Sequence, residues 1–185
     1  MGRLYDRLFR PLLVLCGVFA LFSAVPSAYA SPFGQGVFGA DVPFGSLTSL
    51  TIALGGDVTL SLTPSGSDFI GQGSHTLTVT STDVVGYNLY IYSPSGTGMT
   101  NGTDTIPASG NSSPAPLSTN TWGYNTDAST NYVGITGTPA LLKNALGPYK
   151  LGDDTTVTYG VKTDITKSNG DYTVSVVYTA VALNY

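Results

Sequence analysis

Catalytic chemistry has few materials in this chain of 185 residues. His75 is the sole histidine, Cys16 the sole cysteine, and every acid is an aspartate, because no glutamate occurs. A Ser-His-Asp arrangement would have to rest on His75, and no nucleophile-elbow motif accompanies it. Two aspartates could serve as acid and base in glycoside cleavage, but spacing selects no pair among them. Asp57 and the adjacent Asp153 and Asp154 are hard oxygen donors of the kind that Ca²⁺ takes. A calcium loop needs several such ligands converging, and the Asp-x-Asp-x-Asp spacing is missing, so these residues read as turn formers. His75, next to Thr76, reads as an exposed strand histidine. No enzyme activity, no cofactor and no metal site are expected.

Aromatic side chains are the richer material. Tyr87, Tyr90, Tyr92, Trp122, Tyr124 and Tyr132 could form a platform on which the C–H faces of sugar rings pack. The competing reading is that alternate members are core. In the stretch GYNLYIYS, Tyr87 shares a face with Leu89 and Ile91, whereas Tyr90 shares the other face with Asn88 and Tyr92. Core packing is the first expectation for Trp122, so Tyr90 and Tyr92 are the better ligand-binding candidates, with Trp122 and Tyr124 behind them, although cross-strand aromatic pairs also stabilise sheets by themselves. Asn101-Gly-Thr103 and Asn111-Ser-Ser113 match glycosylation acceptors, a short and common pattern.

The chain that must position these residues begins with an export signal. Arg3, Arg7 and Arg10 precede an apolar run from Leu12 to Phe22, and the small-residue ending Ala28-Tyr29-Ala30 follows, the order of a cleavable signal peptide over residues 1–30. A retained spanning helix would need about 20 apolar residues, and Pro26 and Ser27 intervene too soon. Cys16 lies inside the apolar run after Leu15, which is no lipidation context, and the mature chain keeps no cysteine. Stability then has to come from the core and the sheets, without disulfides or thiolate metal sites.

After residue 30, four lysines face ten aspartates. An acidic surface with scattered lysines offers no footprint for a phosphate backbone, so nucleic acid is excluded as a partner, as is membrane after signal cleavage. The expected location is secreted or at the cell surface.

Residues 31–46 are rich in Gly and Phe and show neither helical nor strand period, and they read as an extended arm. Their side chains Phe33, Val37, Phe38, Val42 and Phe44 are too apolar for an ordinary solvated tail and are candidates for self-association. From Leu50 onward the period is two. Leu50, Ile52 and Leu54, then Val58, Leu60 and Leu62 after Gly55-Gly56, suggest a tight hairpin. Leu77 with Val79, and Tyr87, Leu89 and Ile91, mark two half-buried strands. Residues 103–106 suggest a short edge strand inside the Gly-, Pro- and Ser-rich middle. Residues 121–124 and 132–135 suggest short aromatic strands, and 140–146, ALLKNAL, one helical turn stopped by Gly147-Pro148. Residues 156–165 and a long final strand over 172–183 close the chain. About nine short strands without alternating helices predict an all-β fold for residues 47–185, an antiparallel β-sandwich of jelly-roll or Ig-like type. Its expected core is Leu50, Ile52, Leu60, Leu77, Val79, Leu89, Ile91, Val161, Val174 and Val176.

TWGYN at 121–125, the segment VTYGVKTDITKSNGDYTVSVVYTA at 157–180, and the earlier GYNLYIYS and TIPASG together resemble a group of exported Ser/Thr-rich β-sandwich surface proteins of reduced-genome bacteria. More distantly they are similar to cell-surface and pilin-like β-domains of Gram-positive type. The resemblance implies a structural or adhesive role outside the cell, with the chain itself, other surface proteins or glycans as partners. It supplies no reaction. The wall-binding relatives carry Trp-x-Leu, where this chain has Trp122-Gly123-Tyr124. A small carbohydrate-binding module using exposed aromatics is the second expectation. The last strand, apolar on both faces, is either central or an edge awaiting a partner, which leaves two readings of the arm. It folds back on its own domain as the first strand or along a groove, the first expectation, or the arm of one subunit adds as a strand to the next.

Overall fold

A computed structural model describes residues 48–183, and all regular elements among them are β-strands. The expected signal peptide and the arm, with Phe33, Val37, Phe38, Val42 and Phe44, lie outside the described residues. The strands are β1 (Ser49–Leu54), β2 (Thr63–Ser65), β3 (Asp68–Thr82), β4 (Gly86–Tyr92), β5 (Met99–Thr100), β6 (Thr105–Ile106), β7 (Thr121–Asn125), β8 (Ala140–Leu146), β9 (Asp153–Thr163) and β10 (Val177–Leu183). The larger sheet has the order β1-β3-β9-β7, with β2 also on β3; the smaller is β10-β4-β8, and β5 pairs with β6. Every ladder is antiparallel.

Alternation dictates the two layers. Leu77 and Val79 on β3, Trp122 and Tyr124 on β7, and Val157, Tyr159 and Val161 on β9 point inward from the larger sheet. Tyr87, Leu89 and Ile91 on β4 and Ala145 on β8 meet them from the smaller one in a single buried cluster. Leu50, Ile52, Leu60, Val174 and Val176 pack on its margin as partly buried residues. This is the all-β antiparallel sandwich that the period-two pattern predicts.

Four local expectations fail, because long-range pairing overrides the local pattern. Residues 140–146 form β8 rather than a helical turn. Seven residues are too few for a stable isolated helix, and pairing along β4, with Ala145 opposite Tyr87 and Asn144 opposite Asn88, overrides helix propensity. Residues 58–62 form no hairpin with β1, because β1 pairs with the far end of β3 and β2 with its start. The eight residues 55–62 then face only the six residues 71–76 and cannot hold register. They cross the inner face of β3 instead, over two glycines: a Cβ on Gly73 would lie 2.8 Å from Val58 Cγ1 and 2.9 Å from the Thr59 carbonyl. The final strand is shorter than expected, since only Val177–Leu183 pairs with β4, while Thr173 bridges to Thr100. Residues 132–135 likewise form bridges, Tyr132 to Ala115 and Val133 to Tyr124, rather than a strand.

A methyl group at Gly73 must push residues 58–60 off the sheet. Gly73→Ala is therefore expected to lower the unfolding free energy by about 1–3 kcal/mol. Gly110→Ala, where nothing lies within 4 Å, should be neutral or stabilising by up to about 1 kcal/mol. Urea unfolding of the two variants checks both signs.

Candidate functional site

The four aromatic ligand candidates separate into two environments. Trp122 is completely buried, and its indole Nε1 donates to the Thr97 carbonyl at 2.9 Å. Tyr124, next but one on β7, is 7% exposed. Register explains both: Trp122 pairs with Val161 and Tyr124 with Tyr159, residues of the inner face. With no exposed ring face, neither can stack on a sugar. Tyr90 and Tyr92 stand on the opposite side of β4 from Tyr87, Leu89 and Ile91, half-buried on the outer face of the smaller sheet. Tyr90 has Thr179 and Leu141 as its cross-strand neighbours, and Tyr92 has Val177. Asn88, on the same face, accepts a 2.6 Å hydrogen bond from Asn144 Nδ2 on β8.

His75 is not an exposed strand histidine. Its register partner is Val157, which places it on the inner face, where it is half-buried. Nδ1 lies 2.9 Å from the Gly56 carbonyl, and a carbonyl only accepts, so Nδ1 carries the hydrogen. In the neutral ring Nε2 is then an acceptor, and Tyr178 Oη on β10 donates to it at 2.8 Å. Tyr159 Oη on β9 in turn donates to Tyr178 Oη at 2.5 Å. The chain of three groups stitches the smaller sheet to the larger. Both ring nitrogens are occupied, by partners that are neither carboxylate nor serine. Burial, and secondarily the neighbouring Tyr159 phenol, pushes Tyr178 well above the ordinary phenol range, while burial pushes Tyr159 up to about 12.

A second polar contact joins the sheets at the other side. Lys143 Nζ on β8 lies 2.7 Å from Asp153 Oδ1 on β9, and the Tyr87 hydroxyl donates to Asp153 Oδ2 at 2.8 Å. Burial, then the bond to Asp153, raises the Tyr87 phenol. Asp153 is thus a structural carboxylate, and Asp154 accepts from Thr78 Oγ1. Among the described residues no group of three His, Cys, Asp or Glu side chains could hold a metal ion.

The loops are fixed by short-range polar contacts. Asp104 gathers Lys167 Nζ at 3.0 Å and the backbone N–H groups of Ser168 and Thr105, and the bond from Lys167 leads in drawing its carboxyl down to about 2. Asn111, in one of the two sequons, is committed to the fold, because its Nδ2 donates to the carbonyls of Ala115 and Tyr132. Asn101 Oδ1 accepts from the N–H groups of Thr103 and Asp104, closing the loop before β6. Sequence reasoning found no signal for these inter-sheet and loop contacts. Each depends on which strands become neighbours.

The fold and its side-chain arrangement define an all-β antiparallel sandwich with one uncharged outer face. No protein-family model matches the chain, and no curated protein matches it. Among solved structures, a chain of one described as "Chaperone-tip adhesin complex is vital for synergistic activation of CFA/I fimbriae biogenesis" is similar, with a TM-score of 0.48 and 13% identity over 72% of this chain. This chain spans 41% of that chain's length.

Two outcomes follow from the inter-sheet phenols. The folded-state values of Tyr159 and Tyr178 lie above the unfolded value of 10.0. Their contribution is complete below pH 10 and is lost as pH rises from there, for Tyr159 toward about 12. Urea midpoints should fall as pH rises above 10, and fall less steeply in Tyr178→Phe. Tyr178→Phe, which leaves a part-buried His75 nitrogen unpaired, should cost about 1–3 kcal/mol at neutral pH, whereas Tyr90→Phe should cost less than about 0.5 kcal/mol.

Proposed function

We propose that this chain is an exported surface subunit of structural or adhesive type, which associates with its own kind by strand addition. One observation carries the reading. The smaller sheet has three strands, and among the described residues no strand pairs with the outer edge of β8. That edge strand also carries Leu141 and Leu146, which are 57% and 75% exposed. The Leu146 carbonyl accepts from the Tyr149 hydroxyl, but the remaining outward N–H and C=O groups of β8, flanked by exposed leucines, are a template for another strand. Proteins that avoid such pairing blunt the edge with lysine or proline. β8 has one lysine, Lys143, and it is turned away into the ion pair with Asp153. The sequence of residues 31–46 supplies a complementary segment, in which Phe38, Val42 and Phe44 recur at even spacing and can present one apolar face.

The mature chain, residues 31–185, is expected to form particles larger than a monomer by light scattering, and filaments or oligomers by electron microscopy. Replacing Leu141 and Leu146 with lysine should give a folded monomer. Removing residues 31–46 should do the same, and adding those residues as a separate peptide should bind the truncated protein. A mature chain that is monomeric at high concentration, or an assembly unchanged by both alterations, refutes the proposal.

A further inference from the structure

The two outer faces of the sandwich differ in chemistry. That of the larger sheet is hydroxylated and charged: Thr51 lies opposite Thr80, Thr76 opposite Thr156, Thr78 opposite Asp154, and Ile70 opposite Lys162. The outer face of the smaller sheet has no charged side chain. Its centre is the column Asn88, Tyr90 and Tyr92 on β4, bordered by Asn144 of β8 and Val177 of β10.

Among the described tyrosines, the hydroxyls of Tyr87, Tyr149, Tyr159, Tyr172 and Tyr178 all have hydrogen-bond partners. Those of Tyr90, Tyr92, Tyr124 and Tyr132 make no hydrogen bond, and of these four Tyr124 and Tyr132 are buried while Tyr90 and Tyr92 stand on an outer face, open to solvent or a ligand. The rings of Tyr90 and Tyr92 are nevertheless half-buried, Tyr90 between Thr179 and Leu141 and Tyr92 beside Val177, which limits the entropy lost when a ligand settles on them. The Asn144–Asn88 hydrogen bond consumes one donor and one acceptor, leaving Asn88 Nδ2 as a donor and Asn144 Oδ1 as an acceptor at the end of the column.

We propose that this column binds a neutral oligosaccharide, with Tyr90 and Tyr92 stacking on its sugar rings and the Asn88–Asn144 pair meeting its hydroxyls. An anionic or cationic ligand would find no counter-charge here, whereas a neutral sugar needs only apolar ring faces and hydrogen-bond partners. The dimensions agree. Tyr90 and Tyr92 are about 6.8 Å apart along the strand and the column is about 14 Å long, which suits a short glycan. Three strands of this length present roughly 300 Å², well below the ~800 Å² per partner of a stable protein interface, which argues against a second copy as the occupant.

The test is calorimetric titration of the mature protein with neutral hexasaccharides: α- and β-linked glucans, a β-1,4-linked N-acetylglucosamine oligomer and a mannan fragment. At least one should bind saturably, with an affinity unchanged between roughly 0.05 and 0.5 M salt. Tyr90→Ala and Tyr92→Ala should each weaken it by about tenfold or more, and the Tyr→Phe changes by a few-fold. Near-UV dichroism of the buried Trp122 confirms that the variants are folded. The proposal fails if no member of the panel binds the folded protein, or if binding survives the double alanine variant. It fails too if light scattering shows a sugar-independent dimer that the double variant dissolves. None of these failures touches strand addition, which is read from the Leu141 and Leu146 variants.

Discussion

The burial of one indole organises the irregular half of this domain. Trp122 has no exposed surface, and its strand is the last of the larger sheet, paired on one side with β9. On its other side the backbone of Trp122 receives the long stretch that follows β4: its N–H donates to the Pro107 carbonyl, and its own carbonyl accepts from Ser109. The indole N–H reaches further back, to the Thr97 carbonyl. Met99 and Ile106, from the short β5–β6 pair, join the same buried cluster. A Gly-, Pro- and Ser-rich stretch could not bury enough apolar surface by itself to offset its ordering entropy. Anchored on one large side chain that satisfies its single donor, it becomes part of the sandwich wall. Among the described residues, which hold no cysteine, the indole is the cross-link that ties this stretch to the sheet.

The contacts between sheets divide into an apolar centre and two polar flanks. Lys143 with Asp153 and Tyr87 lies on one flank, and His75 with Tyr178 and Tyr159 on the other. Half-exposed ion pairs add little net stability, and partly buried hydroxyls gain only what good geometry returns. Their value lies in register. Because side chains alternate with period two, a one-residue slip of β10 on β4 would turn Tyr178 outward and leave His75 unpaired. The same slip of β8 would remove Lys143 from Asp153. The penalty for an unpaired part-buried group therefore falls on the wrong alignments, and it holds the outward set, Asn88, Tyr90 and Tyr92, on the outside.

What could be read from sequence follows from this division. Wherever one face of a strand is core, alternation alone located it: β1, β3, β4 and β9 stand where Leu50 to Leu54, Leu77 with Val79, Tyr87 to Ile91, and Val157 to Val161 predict them. The same parity placed Tyr90 and Tyr92 on the outer face. Elements set by long-range pairing were opaque. ALLKNAL has the composition of a helix and becomes β8 only because β4 lacks a partner on that side. Residues 58–62 alternate as well as any strand in the chain, yet two glycines a dozen positions later, Gly71 and Gly73, let them cross the sheet face instead. Trp122, for which core packing is the first sequence expectation, is core, whereas Tyr124 on the same five-residue strand is buried although it ranks among the ligand candidates. His75 was misplaced because its neighbours Ser74 and Thr76 look solvated on both sides.

An edge and a face are different resources, and this sandwich keeps them on the same sheet. Edge pairing draws on backbone groups and is indifferent to most side chains, so β8 can be open while its outward residues vary. A sheet face draws on side chains alone and needs them rigid. β4 meets that need because it is central: it pairs with β10 on one side and β8 on the other, so Tyr90 is flanked by Thr179 and Leu141, and Tyr92 by Val177. A strand arriving at β8 would extend the sheet sideways without covering β4. It would bury the edge leucines and leave the tyrosine column open on every copy along an assembly, so that weak contacts at single columns would act together along its length.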